Sequence, residues 1–459
     1  MLLYAILLGL FLIAVYSVAK TFIDAARDKH PRGLIVLFFT ELWERFGYYL
    51  MIAIFTLYLN EHLKMSEGDA ASLYGTYISL VYASPFFGGM IGDKIGHKRS
   101  ILIGAALLTL GYFILARDNA ATMKLALGVL IVGNGMFKPN ISTLVGALYA
   151  ADDKRRDGGF SIFYMGINIG AFFAPLAAAH MRSKYGWGPA FAIGGVGMGI
   201  GFATFAIFSR LVKPAPPPEP IQVSELYSEL PSEYNQVPGD VVRERVRALL
   251  IMCSIVMLFW VAFHQNGSTL TYWARDNTDR LLGGLLKEAL DPEVFAAINS
   301  YFVVVLTPVL VATFIRLRRR GLEPPTPAKI MIGMLLTAVS FAIMVVASLV
   351  AGSNSGVVSA AWVSVSYFVV TIGELCLSPL GLSMVTKLAP KNRGGLFMGI
   401  WCIATAVGNK LSGELGRLWK PWPHSHFFGI LVGTSLLAAF LVAIQLRRLN
   451  KAMPDADKE

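Results

Sequence analysis

An apolar run from Gly33 to Leu59 is long enough to cross a bilayer as one helix, yet its middle reads Glu41-Leu-Trp-Glu44-Arg45-Phe46-Gly-Tyr48-Tyr49. A charge near the bilayer centre costs about 2.5–3.5 kcal/mol even on the lenient insertion scale, so such residues face a protein interior or a watery path. At about 100° per residue, Glu41, Glu44, Arg45, Tyr48 and Tyr49 share one broad stripe of the helix. A buried ion pair that merely fixes helix packing is one reading. Arg45, however, can neutralise one carboxylate and not two. The second acid must be protonated or paired elsewhere, which makes this stretch a candidate proton site.

Composition agrees with a membrane chain. Of 459 residues, 55% are hydrophobic and 15% charged, and the mean hydropathy is +0.58, which excludes the soluble globular classes. The net charge of +11 is read by location, because most of the 40 Lys and Arg fall on one set of loop faces. That side is expected in the cytoplasm, and nothing points to nucleic acid. Cys253, Cys376 and Cys402 lie within expected spans at no ligand-like spacing, so they read as small core residues rather than a disulfide or metal site.

Taken in order, Met1 to Ile23 is apolar with no Lys or Arg ahead of it and no small-residue cleavage site, and reads as an extra helix with its N-terminus outside. The basic segment Lys20–Arg32 follows inside. Further spans are expected over 70–92, 101–115 and 125–148, the last containing Gly133-Asn-Gly135-Met-Phe-Lys138-Pro139-Asn140. A mid-membrane lysine needs a partner, and Glu41 or Glu44 is the natural candidate. After the charged loop Asp152–Asp157 comes Phe160-Ser-Ile-Phe-Tyr164-Met-Gly-Ile-Asn168-Ile-Gly170-Ala-Phe172, and a sixth span ends near Leu211. Residues 212–246, rich in proline and then in mixed charge, read as a cytoplasmic linker. Six more spans are expected at 248–272, 298–315, 329–351, 358–386, 395–417 and 425–446. The domains are therefore 1–32, 33–211, 212–246, 247–447 and a tail, 448–459. Trp260, His264 and Ser268 fall on one helical face at i, i+4 and i+8. Asn299 opens the eighth span, Glu374 is the lone acid of the tenth, and Trp401 lies in the eleventh. Lys410 and Glu414, at i and i+4, read as a private ion pair.

The pattern ExxERFxYY formed by Glu41, Glu44, Arg45, Phe46, Tyr48 and Tyr49 resembles the first-helix signature of the proton-coupled oligopeptide transporter (POT, or PTR) family of the major facilitator superfamily. The segment Gly133–Asn140 resembles that family's fourth helix, and Phe160–Phe172 its second signature, on helix five. Gly89, Asp93, Gly96, Lys98 and Arg99 resemble the superfamily's GxxxD(R/K)xG(R/K)(R/K) loop, a glycine-permitted turn whose carboxylate and cations can latch helix ends. The chain departs from many bacterial relatives in a linker too short for two extra helices. The resemblance implies an all-α polytopic membrane protein of the major facilitator fold, with two six-helix bundles plus the extra N-terminal helix.

The same resemblance implies function. It makes the chain a bacterial inner-membrane symporter of di- and tripeptides, driven by protons through alternating access, with a cytoplasmic C-terminus. Span four corresponds to span ten in such a repeat, so Lys138 and Glu374 occupy equivalent places with opposite charge. A zwitterionic peptide would set its ammonium on Glu374 and its carboxylate on Arg45 and Lys138. Tyr48, Tyr49, Tyr82, Asn168 and Asn299 would hydrogen-bond it, and Trp260 and Trp401 would wall side-chain pockets. As plain residues, the tyrosines and Trp401 read equally as core and the asparagines as helix-packing glue. Proton coupling falls to Glu41, Glu44, Arg45, Lys138 and His264. The expected partners are peptides and the bilayer, around a monomer. No enzyme chemistry, metal or cofactor is expected; protons are the coupling ion. A same-fold carrier of a small anion such as nitrate is the alternative. Bacterial relatives usually close the outer gate with an Arg–Glu pair where this chain has Ile52 and His264. Apolar packing around Ile52 is therefore the expected outer closure, with His264 left to titrate as an accessory carrier or to serve as a hydrogen-bonded structural residue.

Overall fold

The computed structural model describes residues 30–150, 153, 155–214, 239–352, 354–388 and 394–452. The expected first helix over Met1–Ile23 and most of the proline-rich linker lie outside them. Among the described residues twelve helices run 19 residues or longer. In the first half these are α1 (Gly33–Leu57), α2 (Glu67–Ile95), α3 (His97–Leu115), α4 (Ala120–Ala147), α5 (Arg156–Tyr185) and α6 (Trp187–Phe208). The second half has α7 (Gly239–Phe263), a short α8 (Thr269–Asp276), then α9 (Ala296–Arg319), α10 (Thr326–Ala351), α11 (Ala360–Leu388), α12 (Gly394–Leu415) and α13 (His424–Ala452). The chain can turn sharply between α2 and α3, and between α5 and α6, because Gly96 and Gly186 take φ of +92° and +89°, a region a side chain would disfavour.

Each half has its own apolar core. One gathers Leu37, Ile54, Ile78, Phe137 and Phe191, the other Phe259, Trp273, Phe341, Trp419 and Phe428. Nine of the helices are long and apolar enough to cross a membrane, whereas α1, α2 and α12 are not among them. The exceptions have a reason. Helix α1 carries the Glu41, Glu44 and Arg45 charges, and α2 and α12 pack on one another along the seam between the halves, with α5 against α9 on the other side. Lipid never has to solvate their polar faces.

Three sequence expectations need correction. The linker assigned to 212–246 ends sooner, because α7 already starts at Gly239; the segment Val-Val-Arg-Glu-Arg-Val-Arg beyond Pro238 has no helix breaker. The tail assigned to 448–459 likewise begins inside α13, which runs to Ala452. The seventh span is also broken. Its α-helix stops at Phe263, a 3-10 turn covers His264–Gly267, and Ser268 adopts φ −134° and ψ −92°, so Ser268 does not continue the Trp260–His264 face. Tertiary contact imposes the break, since a Cβ on Gly267 would sit 1.8 Å from the Tyr74 hydroxyl. The Gln265 side chain then accepts from Ser268 (3.2 Å) and Thr269 (2.8 Å), starting α8.

At the end of the molecule away from the basic loops the two halves are tied together by charge. Arg182 on α5 meets Asp291 at 2.7 Å and is hydrogen-bonded to Glu293, which is 0% exposed. Arg275 on α8 reaches back to Glu67 and to the Asn60 side chain, both at 2.7 Å. Glu61 lies 3.8 Å from Arg182 and 3.6 Å from Arg275, linking the two clusters. Beside them, Lys410 donates to Thr76 (2.8 Å) and Ser72 donates to Glu414 (2.7 Å), while Arg417 pairs with Asp69 at 3.2 Å. The Lys410–Glu414 pair is therefore not private, and the ties between the halves at this end are ionic, while Ile52 packs against the apolar core of the first half. The reason is that charges distant in sequence, on α5, α8 and the connections, converge where the halves meet.

Arg182→Ala should strand the buried Glu293 charge, a loss of about 3–5 kcal/mol when one partner of a buried pair is removed. Spin labels at Lys64→Cys and Lys287→Cys, one on each half, should then report a longer and broader distance distribution in the Arg182→Ala background. A distribution unchanged from the parent would show that the arginine does not hold this end shut.

Candidate functional site

The centre of the first half is Arg45. Its guanidinium is hydrogen-bonded to both oxygens of Glu44, one of them at 2.6 Å, stands 3.5 Å from Glu41 and reaches Asn134 on α4 at 3.4 Å. Its far side lies 4.6 Å over the Tyr48 ring. All three ionic residues are buried: Glu41 is 1%, Glu44 3% and Arg45 4% exposed. Helix α5 can come this close because it presents Gly170, where a Cβ would lie 2.5 Å from the Leu42 carbonyl and 3.3 Å from the Arg45 side chain. The second signature thus serves the first by letting α5 cross α1 at the charges.

Two loose ends remain in this cluster. The outer oxygen of Glu41, Oε2, has no hydrogen-bond partner. Among the described residues Lys138, half-buried on α4, forms no ion pair, although it interacts electrostatically with Glu41, Glu44, Arg45 and, across the seam, Cys402 on α12. The sequence leads one to expect Lys138 to bridge to an acid; instead Arg45 takes both carboxylates. A carboxyl oxygen without a donor and a lysine without a carboxylate are two groups here with unspent capacity.

On the second half Glu374 of α11 accepts from Asn299 of α9 at 3.1 Å, and Asn299 also contacts Thr371 at 2.9 Å. Asn299 therefore orients the carboxylate. The field of Glu374 reaches Tyr49, Tyr82 and Tyr164 of the other half. Asn168 is differently placed, since its amide donates to the Tyr164 carbonyl of its own helix at 3.0 Å.

Aromatic rings line the space between. Tyr48 and Tyr49 stand edge to face at 5.3 Å. His264 stacks on Trp260 at 5.1 Å and meets Tyr82 of the other half edge-on at 5.9 Å. Its Nε2 and the Trp260 Nε1 have no hydrogen-bond partner. Trp401 is 4% exposed and packs onto Gly381, where a Cβ would lie 2.2 Å from its ring.

The expected loop latch is built differently from its sequence reading. Asp93 finds no Lys or Arg among the described residues; its side chain is 74% exposed and its nearest cation-forming neighbour is His97 at 3.9 Å. Gly96 makes the turn, Gly89 passes over Pro139, Lys98 donates to the Ser209 carbonyl at the end of α6 at 2.9 Å, and Arg99 is exposed. The tie between helices is instead Asn140, which bonds His97 (2.7 Å), Ser100 (2.9 Å) and the Gly88 carbonyl (3.1 Å). At the same end of the second half Glu323 accepts from Arg318 (2.5 Å) and Lys329 (2.6 Å). Those bonds, Arg318 first, hold its carboxyl below the ordinary range.

Sequence reasoning missed Asn134, Asn140, Thr371 and the Arg182–Glu293 and Arg275–Glu67 ties. Asn134 and Asn140 stand inside the Gly133–Asn140 segment, a usable signal. The arginine ties join helix ends and a short 3-10 turn that are far apart in the chain, and nothing local marks them.

Comparison with known proteins identifies the family and the fold. A sequence model of the POT family matches residues 98–231 and 222–425. The dipeptide and tripeptide permease A of Salmonella typhimurium is 34% identical over 94% of this chain and 94% of its own length. A crystal structure of a peptide transporter POT in complex with sulfate superposes with a TM-score of 0.80 at 30% identity, covering 92% of this chain and 96% of that one. A POT family transporter in complex with a thioalcohol-conjugated peptide gives a TM-score of 0.81 at 28% identity, covering 92% and 97%. The chain is an all-α polytopic membrane protein of the major facilitator type and a transporter rather than an enzyme: it belongs to the POT family.

Proposed function

We propose that this protein is a proton-coupled symporter of di- and tripeptides that works by alternating access. The observation that carries the reading is the uneven sharing of charge in the first half, where Arg45 holds both acids, Glu41 keeps an oxygen without a donor and Lys138 has no carboxylate. A proton taken by Glu41 or Glu44 weakens its hold on Arg45 and frees the guanidinium for a peptide carboxylate, with Lys138 beside it. Proton and peptide are thereby linked by one shared cation. Across the seam Glu374, held by Asn299, receives the peptide ammonium. Termini separated by about 3.5 Å per residue suit a receptor whose anionic and cationic ends sit on different bundles. The tyrosines supply hydroxyls to the peptide backbone, and Trp260, His264 and Trp401 form apolar walls for its side chains.

The excess of Lys and Arg in the loops supports a cytoplasmic position for that end of the molecule, in a bacterial inner membrane, with the end of α13 inside. The ionically tied end then faces out, and the arrangement described here is closed to the outside. One chain holds every group the reading uses, so a monomer suffices. The driving force is about 2.3 kcal/mol per charge per 100 mV of membrane potential.

Glu374→Gln should keep the fold and lower affinity for free-amine dipeptides at least tenfold, about 1.4 kcal/mol, while an N-blocked dipeptide is little affected. Wild-type affinity for dialanine in that variant would refute the ammonium assignment. Glu44→Gln or Lys138→Ala should abolish uphill dialanine uptake driven by a proton gradient and leave counterflow measurable. Concentrative uptake equal to the parent in either variant would refute the coupling assignment, and counterflow driven by nitrate but not dialanine would favour the small-anion alternative.

A further inference from the structure

Helices α7 and α13 pack side by side in the second half, and on their outer side leave a groove of about 330 Å³ at the basic end. Arg247, Leu250 and Ser254 of α7 line it at helical spacing, opposite Leu441, Ile444 and Gln445 of α13. Leu250 is 43% and Ile444 60% exposed, so this face looks outward, where a membrane-spanning chain meets lipid tails.

The groove is polarised along its length. Its deeper part is aliphatic, and its mouth is cationic. The first turns of α7 carry Arg243, Arg245 and Arg247, and the last turns of α13 carry Arg447, Arg448 and Lys451; Asp240 and Glu244 are the nearby acids in the same two segments. Glu244 is already used, because Arg448 is hydrogen-bonded to both its oxygens, one at 3.3 Å. Arg247 is left with a long 3.8 Å contact to that carboxylate and a side chain 56% exposed. The Nε of Arg245 is buried with no hydrogen-bond partner. An excess of guanidinium over carboxylate at the membrane–water boundary, above an aliphatic slot, complements a phosphate with no cation of its own above an acyl chain. A zwitterionic headgroup offers the same phosphate with its charge already offset.

We propose that this groove is a binding site for one anionic phospholipid of the leaflet at the basic end, its phosphate on Arg247 and one acyl chain laid along Leu250 and Ile444. The site is separate from the peptide path and does not depend on how peptides or protons are handled.

The test is native mass spectrometry of the full chain released from nanodiscs containing equal phosphatidylglycerol and phosphatidylethanolamine. The parent should retain phosphatidylglycerol over phosphatidylethanolamine by about threefold or more. Arg247→Ala should bring the ratio near one, and Ile444→Trp, which fills the slot, should lower retention of both lipids. Arg320→Ala, removing an exposed cation of the same end just after α9, should behave as the parent. A single symmetric gel-filtration peak checks that each variant is folded. Equal retention of the two lipids by the parent, or parental retention in either groove variant, overturns the proposal.

Discussion

Everything in this protein is arranged around the burial of Arg45 against Glu44 and Glu41 in the middle of the 25-residue helix α1. Two carboxylates and one guanidinium carry a net negative charge that lipid cannot solvate, and low dielectric makes an unbalanced group costly. The chain answers by enclosing the cluster: α5 crosses at Gly170, Asn134 reaches in from α4, and Tyr48 covers the open face of the guanidinium. What it leaves unbalanced, one oxygen of Glu41 and the ammonium of Lys138, is where a proton and a substrate carboxylate can act. Under the proposed function, stability and transport draw on the same residues.

The halves are joined unequally. At one end four basic side chains, Arg182, Arg275, Lys410 and Arg417, reach acids or hydroxyls of the opposite half. In the middle, aromatic rings meet, as His264 does Tyr82. Ion pairs and hydrogen bonds between whole bundles are discrete contacts that can be broken together, whereas each bundle keeps its own continuous core. Such a construction supports the proposed alternating access, in which two rigid bodies rock about a shared site.

Much of this is legible in the sequence because the bilayer is a severe solvent. Charges inside a 25-residue helix are conspicuous, so Glu41, Glu44, Arg45, Lys138 and Glu374 stand out from their apolar surroundings alone. The sequence is silent where partners come from elsewhere in the chain. Trp260, His264 and Ser268 have the spacing of one helical face, but Gly267 packed under Tyr74 breaks that helix. Lys410 and Glu414 have the spacing of a pair, but Ser72 and Thr76 make them a bridge. Glu293 and Arg182 are 111 residues apart and share no pattern. The start of α7 is hidden for the opposite reason: its charged first turns have the composition of a linker and the conformation of a helix.

The central claim is that peptide and proton cross together through the charges of α1 and α4. It is tested most directly in proteoliposomes clamped at zero membrane potential, with a pH-sensitive dye inside and dialanine added outside. The account predicts that the lumen acidifies as labelled dialanine enters, in fixed proportion to the amount taken up. Dialanine entry with no change in lumenal pH would contradict it.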